Sequence, residues 1–289
     1  MATQTATTGN LENAQRIAIA QTRFTMEHSM PVVNLIEHMT LNKGEKTRTV
    51  PKVAQMTAAD LVDGVDMVDT EDIGMTTVDL TAGEVGLKIV LTDKLLYQEA
   101  EDVFKIAGRQ AGDAMARKKD NDGIALFSAL NGGTTFGADN TNMTLAFLAA
   151  AIARAKSSKF PAPIFVVHHP NAIYQTVVSA AVTPSATYPL PHGWSEELLR
   201  DFYKFQINGV TVFEDGNIAA ISGTDSGYGV IASKSAMVVL DQKGFNAERT
   251  RKASLRAWEI VVTANYGMYE LDDSYGAPMR YEIGNPATS

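Results

Sequence analysis

"KLLYQEAEDVFKIAGRQAGDAMARKKDNDGIALFSALNGG" runs from Lys94 to Gly133. No proline interrupts it, and its first firm stop is Asn131-Gly132-Gly133. A helix over the whole stretch would be roughly 55 Å long at about 1.5 Å per residue. The average globular helix is about a third of that. Thr92 is placed to cap it, and Asp93 falls in the first turn, where a carboxylate suits the helix dipole. Leu96, Ala100, Val103, Ala107, Ala111 and Ala114 follow one helical face. That stripe is mostly alanine, so whatever packs there approaches close to the helix axis. The opposite face carries Glu101, Lys105, Arg109, Asp113 and Arg117, with Glu101 and Lys105 in the favourable i,i+4 order. The stripe blurs from Lys118 to Asp122, and Gly123 weakens a helix by about 1 kcal/mol relative to alanine. The spacing therefore predicts a kink or break there.

Upstream, Val85, Leu87, Ile89 and Leu91 alternate with period two and read as a strand. Thr47-Arg48-Thr49-Val50-Pro51 reads as another, with the proline placing it at a sheet edge. Between them lies "DLVDGVDMVDTEDIGM", made strongly acidic by Asp60, Asp63, Asp66, Asp69, Glu71 and Asp72. Such a charge run suits a solvated or partner-facing surface. The chain thus makes a long excursion, leaving the body near Leu41 and returning near Leu91. Residues 1–30 are rich in Ala, Thr and Gln with few large apolar side chains, and read as an arm ordered by a partner.

Downstream, the texture changes near Asn142 to short alternating elements. "TLAFLAAAIARAKSS" is an apolar helix and "APIFVVHH" a buried strand. Pro170 opens a helix through Ala180 from the first helical position. Residues 180–194, "AAVTPSATYPLPHGW", read as a loop, with a helix starting at Ser195-Glu196-Glu197. "GVTVFEDG" and "GYGVIAS" are strands, which makes this middle third a compact α/β unit. The last third is β-rich, with Trp258, Ile260, Val262 and Ala264 alternating. "FNAERTRKASLR", residues 245–256, is polar and basic and reads as a strand end or exposed loop. There is no internal repeat and no heptad pattern.

The chain has 289 residues, enough for one large domain or two ordinary ones. Its balance of 45% apolar and 20% charged residues is that of a soluble globular protein. No apolar run is long enough to cross a membrane as a helix, and the first residues do not read as a secretory signal. The absence of cysteine excludes disulfides, thiol nucleophiles and thiolate metal sites. A net charge of −8 argues against a chain built as a whole to grip DNA, since that affinity comes from clustered Lys and Arg.

Motifs for chemistry are sparse. Gly227-Tyr228-Gly229-Val230-Ile231-Ala232 matches G-x-G-x-x-A, but a dinucleotide site needs a helix next, and a strand-like stretch follows. Asp120-Asn121-Asp122-Gly123 resembles the middle of a calcium loop, but Lys118 and Ala129 occupy positions where acids are required. His168 and His169 end a buried strand, a place where active sites often sit. Strand alternation, however, points their imidazoles to opposite faces. No HExxH, G-x-S-x-G or Walker loop is present. The sequence therefore assigns no catalytic residue, metal ligand or cofactor.

A polar arm, a long excursion, a spine helix, a compact α/β unit and final long strands, in that order, resemble the major capsid protein of tailed bacteriophages. The resemblance is carried by "VGLKIVLTDKLLYQEAEDVFKIAGRQAGDAMARKKDNDGIALFSAL" and by "GVIASKSAMVVLDQKGFNAERTRKASLRAWEIVVTANYGMYELDDSYGAPM". It implies an α+β chain with the Hong Kong 97-type capsid fold. Residues 1–40 would be the N-terminal arm and 41–91 the extended loop hairpin. Residues 92–140 and 236–289 would form the peripheral domain with its long spine helix, and 141–235 the axial α/β domain.

The implied function is self-assembly, as pentamers and hexamers, into an icosahedral shell in the virion. The shell would enclose double-stranded DNA without sequence-specific binding. No membrane is involved. The N-terminal scaffolding domain of some members has no room here. The implied partners are therefore further copies of the chain, a separate scaffolding protein, a portal and decoration proteins, with assembly in the host cytoplasm. Candidate inter-subunit contacts are Lys46, Arg48, Lys52, Asp63, Asp66, Asp69, Arg109 and Arg117. Some members join neighbours by a Lys–Asn isopeptide bond. Lys46 and Lys52 lie in the right region, but the other partners have no match, so no crosslink is carried over. An encapsulin-type compartment shares the fold. From a different class, an α/β enzyme using His168 or His169 is the alternative.

Overall fold

The computed structural model describes residues 31–53, 74–98, 103–130, 134–182 and 206–286, with positions 56, 58, 60 and 63 between the first two. The arm 1–30, most of the loop 180–194, the helix expected from Ser195, and Asp66 and Asp69 lie outside the described residues. A short helix α1 (Pro31–Leu35) leads into strand β1 (Glu37–Thr40). Strands β2 (Thr47–Val53) and β3 (Met75–Thr81) form an antiparallel hairpin, in register from Thr47↔Thr81 to Val53↔Met75. Strand β4 (Gly83–Thr92) then feeds helices α2 (Asp93–Gln98) and α3 (Val103–Ala125).

After these come β5 (Phe136–Gly137), helix α4 (Leu145–Ser157), β6 (Ile164–His168) and helix α5 (Pro170–Val182). The chain finishes with β7 (Gln206–Ile207), β8 (Val210–Glu214), β9 (Ser226–Ser233), β10 (Met237–Lys252), β11 (Ala257–Glu270) and β12 (Gly276–Glu282). The strands make a four-stranded sheet ordered β1-β10-β11-β4, a six-stranded sheet ordered β5-β12-β9-β6-β8-β7, and the separate β2-β3 ribbon.

The four-stranded sheet is covered by the spine helix. Ala107, Ala111 and Met115 of α3 pack with Leu91, Leu95, Ile260, Val262, Ala264 and Tyr266. The alanine stripe does bring helix and sheet together, but its phase shifts: Met115 is buried where the spacing had placed Ala114, which is half-buried. The expected kink at Gly123 does not occur, since α3 continues to Ala125. A Cβ at Gly123 would lie 3.0 Å from Val32 Cγ1 and 3.4 Å from Met268 Sδ, so the glycine makes room for α1 against the helix.

The six-stranded sheet is packed on both faces. Val166, Ile231 and Met279 point to one side, under Leu148 and Ile152 of α4 and Ile173 of α5. Phe165, Val167, Val230 and Ala232 point to the other, under Val32, Ile36, Phe127 and Leu130. Helix α4 starts where Thr144 Oγ1 accepts the amide of Phe147, at 3.3 Å. The chain just beyond the spine helix therefore closes the second core, and α1 wedges between the two units.

Two strand readings change. β4, read as the returning strand of the excursion, pairs with β11 from Gly83↔Tyr266 to Thr92↔Ala257. The partner of β2 is instead β3, whose "MTTVDLT" is mostly polar and exposed. Residues 245–256 are mostly strand: β10 runs through Lys252, paired from Asn246↔Thr263 to Lys252↔Ala257 after register shifts between Asp241 and Asn246. Both segments were hard to read for one reason. A strand exposed on its faces lacks the apolar alternation that burial imposes.

Candidate assembly surfaces

The hairpin is anchored at its root, and among the described residues it pairs with no further strand. The Tyr269 hydroxyl on β11 donates to Thr81 O at 2.7 Å and lies 2.8 Å from Thr81 Oγ1. Gly267, two residues earlier, lets the end of β3 cross the sheet, because an ideal Cβ there would collide with Thr81 O. Leu80 is buried with Leu41, Val238 and Leu240, and Val50 and Val78 pack against that cluster. Arg48 Nη1 donates to Thr40 O at 2.9 Å and Gln242 Nε2 donates to Glu45 O at 3.1 Å, so the base of β2 is tied to β1 and β10.

Lys52 Nζ reaches Asp272 Oδ1 at 2.6 Å. Burial opposes ionisation of Asp272, but hydrogen bonds from Lys52 and Ser274 outweigh it and hold that carboxyl below the usual aspartate range. At the tip the character reverses. Val53 and Met75, paired across the ribbon, are 53% and 61% exposed, and further along the chain Met56, Asp60 and Asp63 are exposed as well. Clustered exposed apolar side chains mark contact surfaces more than scattered ones do.

The opposite end of the four-stranded sheet is basic. Arg249 and Arg251 lie 4.4 and 5.3 Å from the Trp258 ring, and Arg251 grips Asp93 with two bonds of 3.0 and 2.8 Å. Across three strands, Lys88 and Lys252 meet Glu259 Oε1 at 2.7 and 2.6 Å. These two hydrogen bonds, Lys252's first, hold the Glu259 carboxyl below the usual range. Apart from Asp93 in the first helical turn, the alternating Trp258 and the basic character of residues 245–256, these residues did not stand out in the sequence. The register of β4, β10 and β11 is what assembles them.

The residues singled out from sequence do not converge on a single place. Lys46, Arg48 and Lys52 lie on β2 or just before it, and Asp63 lies beyond the hairpin tip. Arg109 and Arg117 are exposed on α3 with Asp113 half-buried between them. Glu101 and the Lys105 side chain lie outside the described residues. His168 is fully buried, and burial first, with neighbouring His169 second, pushes its pKa down to about 3. Its Nδ1 accepts the backbone amide of His169 at 2.9 Å, and its ring lies over Gly229.

His169 is half-buried, and its Nδ1 accepts the amide of Asn171 at 3.2 Å, at the start of α5. The two imidazoles are thus engaged in packing and capping. The G-x-G pattern has the same origin, because Gly229 is the floor on which His168 rests. Among the described residues no group of three or more His, Cys, Asp or Glu could hold a metal ion, and no helix is long and apolar enough to cross a membrane.

No curated protein matches the chain. Solved structures do. The capsid of a native GTA particle aligns at a TM-score of 0.69 and 11% identity, over 90% of this chain and 92% of that one. A structure from Mycobacterium phage Che8 aligns at 0.67 and 17% identity, over 86% and 90%. The capsid of the cyanophage P-SCSP1u aligns at 0.64 and 14%, over 86% and 87%. At these identities the likeness establishes the fold, and it spans nearly the whole of each chain. The family model described as phage capsid protein matches residues 75–276, from β3 through the spine helix and both sheets to the start of β12. The chain therefore belongs to the phage capsid protein family, as a major capsid protein of the Hong Kong 97-type fold that forms the shell of a phage particle.

Proposed function

We propose that the subunits assemble as pentamers and hexamers into a closed icosahedral shell filled with double-stranded DNA, each hairpin lying on a neighbouring subunit. The observation that carries this is the hairpin itself. Its root is built into the four-stranded sheet and Lys52 holds it to Asp272, yet among the described residues it pairs with no further strand and it ends in exposed Val53 and Met75, with Met56 exposed beyond. A ribbon of that kind is marginal alone in water, so a second surface completes it. In this reading residues 1–40 are the arm, 41–91 the extended loop, 92–140 and 236–289 the peripheral domain and 141–235 the axial domain, with β1 and β4 lent to the peripheral sheet and β5 and β12 to the axial one.

Lys46, Arg48, Lys52, Asp63, Asp66, Asp69, Arg109 and Arg117 are the inter-subunit candidates, and Arg48, Lys52, Arg109 and Arg117 also have partners within their own chain. The mixed signs of Arg109, Asp113 and Arg117 fit pairing with protein more than a grip on DNA, which would call for a uniformly basic face. A separate scaffold, a portal and decoration proteins complete the proposed partners, with assembly in the host cytoplasm. Hydrogen exchange tests the hairpin's role. Amides of β2 and β3 beyond the root should exchange freely in the dissociated subunit and at least about 100-fold more slowly in the shell, which corresponds to roughly 2.7 kcal/mol of added protection. Equal protection in both states would contradict it.

A further inference from the structure

The buried side of α3 carries a carboxyl as well. Asp120 is fully buried, and so is Asp215 in the turn after β8. Asp120 Oδ1 accepts the amide of Val32 in α1 at 3.2 Å, and its Oδ2 accepts Asn217 Nδ2 at 3.1 Å. Asp215 Oδ1 accepts the backbone amide of Asn217 at 2.8 Å, and its own amide donates to His168 O at 3.0 Å. The remaining oxygen, Asp215 Oδ2, is buried and meets no donor among the described residues. Asn217 thus bridges the two carboxyls, giving its backbone amide to Asp215 and its side-chain amide to Asp120. Two ionised carboxylates are acceptors only and offer nothing to the orphaned Asp215 Oδ2, whereas a proton on one of them supplies a donor.

We infer that Asp120 and Asp215 share one proton, and that this proton ties the spine helix and α1 to the six-stranded sheet. Losing it would leave two buried negative charges side by side, an arrangement relieved only by parting α3 from the turn after β8. The neighbouring charges do not offset this. Lys119 Nζ is turned to Asp241 at 2.6 Å and lies 5.3 Å from the Tyr266 ring. Lys118 pairs with Asp122, which also accepts the Tyr266 hydroxyl at 2.8 Å. Glu214 on β8 is an acid whose pKa burial raises, and burial lowers the pKa of both His168 and His169.

Burial first, and the hydrogen bond from Asp120 second, push the Asp215 carboxyl up to about 7. Its folded pKa is raised above the unfolded one, so the tie is fully present below about pH 4. It weakens as pH rises and is lost by about pH 7, with no further change above that. The inference goes beyond shell formation and is tested on the full-length free subunit.

Hydrogen exchange is measured from pH 5 to 8 in wild type and in Asp215→Asn, whose amide can donate to Asp120 without titrating. After correction for intrinsic exchange, the opening of α3 amides near Asp120 should rise up to about tenfold per pH unit below neutrality in wild type and level off above it. The rise should vanish in the variant. Parallel profiles in the two proteins, or a flat wild-type profile, overturn the inference. If the variant does not fold, carboxyl carbon shifts in wild type decide. An aspartate titrating near neutrality supports the shared proton, and ordinary acidic titration of every aspartate overturns it.

Discussion

Gly229→Ala is expected to lower subunit stability by about 3 kcal/mol or more. Glycine at this point in β9 faces the side of β6. An ideal Cβ would lie 2.5 Å from Val167 O and still closer to His168 Cδ2, shorter than real Cβ contacts. Neither neighbour can yield. Val167 O belongs to the backbone of a strand paired on both sides, and His168 is fully buried. Overpacking of a well-filled core typically costs about 1–3 kcal/mol, and a clash with main chain lies at or beyond the upper end. Gly244→Ala is the control, because nothing lies within 4 Å of a Cβ there. It should change stability by no more than about 0.5 kcal/mol. Denaturant melts of the two variants check both expectations.

Gly267→Ala should strike assembly harder than folding. The added methyl would press on Thr81 O and come within 2.7 Å of Tyr269 Cε2, the two groups that fix the hairpin root. β3 would be lifted from β11, and the hydroxyl bonds between Tyr269 and Thr81 would stretch. The expected loss is about 1–3 kcal/mol. A change of about 1.4 kcal/mol already lowers the population of correctly placed hairpins tenfold, and every subunit in a shell carries the defect. Particle yield by sedimentation should therefore fall by more than the shift in the melting midpoint suggests. Tyr269→Phe removes only the hydroxyl and should show a milder version, about 1 kcal/mol. Normal yield from Gly267→Ala would mean that the hairpin root can move without consequence.

Much of the fold was legible where one face of an element is buried. Alternation along Val85–Leu91 and Trp258–Ala264 marked β4 and β11, and the alanine stripe marked the close packing of α3. Pro51 placed β2 at a sheet edge, and β2 pairs only with β3 among the described residues. Legibility failed for exposed strands. β3 and the far half of β10 have polar faces, so their strand character rests on partners far away in sequence. Gly123 misled because a glycine in a helix reads as a weakness, whereas here it admits Val32.

Of the candidate surfaces, the exposure of Arg109 and Arg117 followed from helical phase alone. The Tyr269–Thr81 anchor, the Arg249–Trp258–Arg251 stack and the Asp120–Asp215 pair did not. Each joins residues that only strand register or helix docking brings together. Asp120 stood inside a discarded calcium pattern, with no local sign that it is buried.

Sedimentation combined with negative-stain electron microscopy of the expressed chain, with and without a co-expressed scaffold, tests shell formation most directly. Closed particles of uniform size, built from five- and six-fold capsomers, are the predicted result. A chain that stays monomeric or dimeric under both conditions would contradict it.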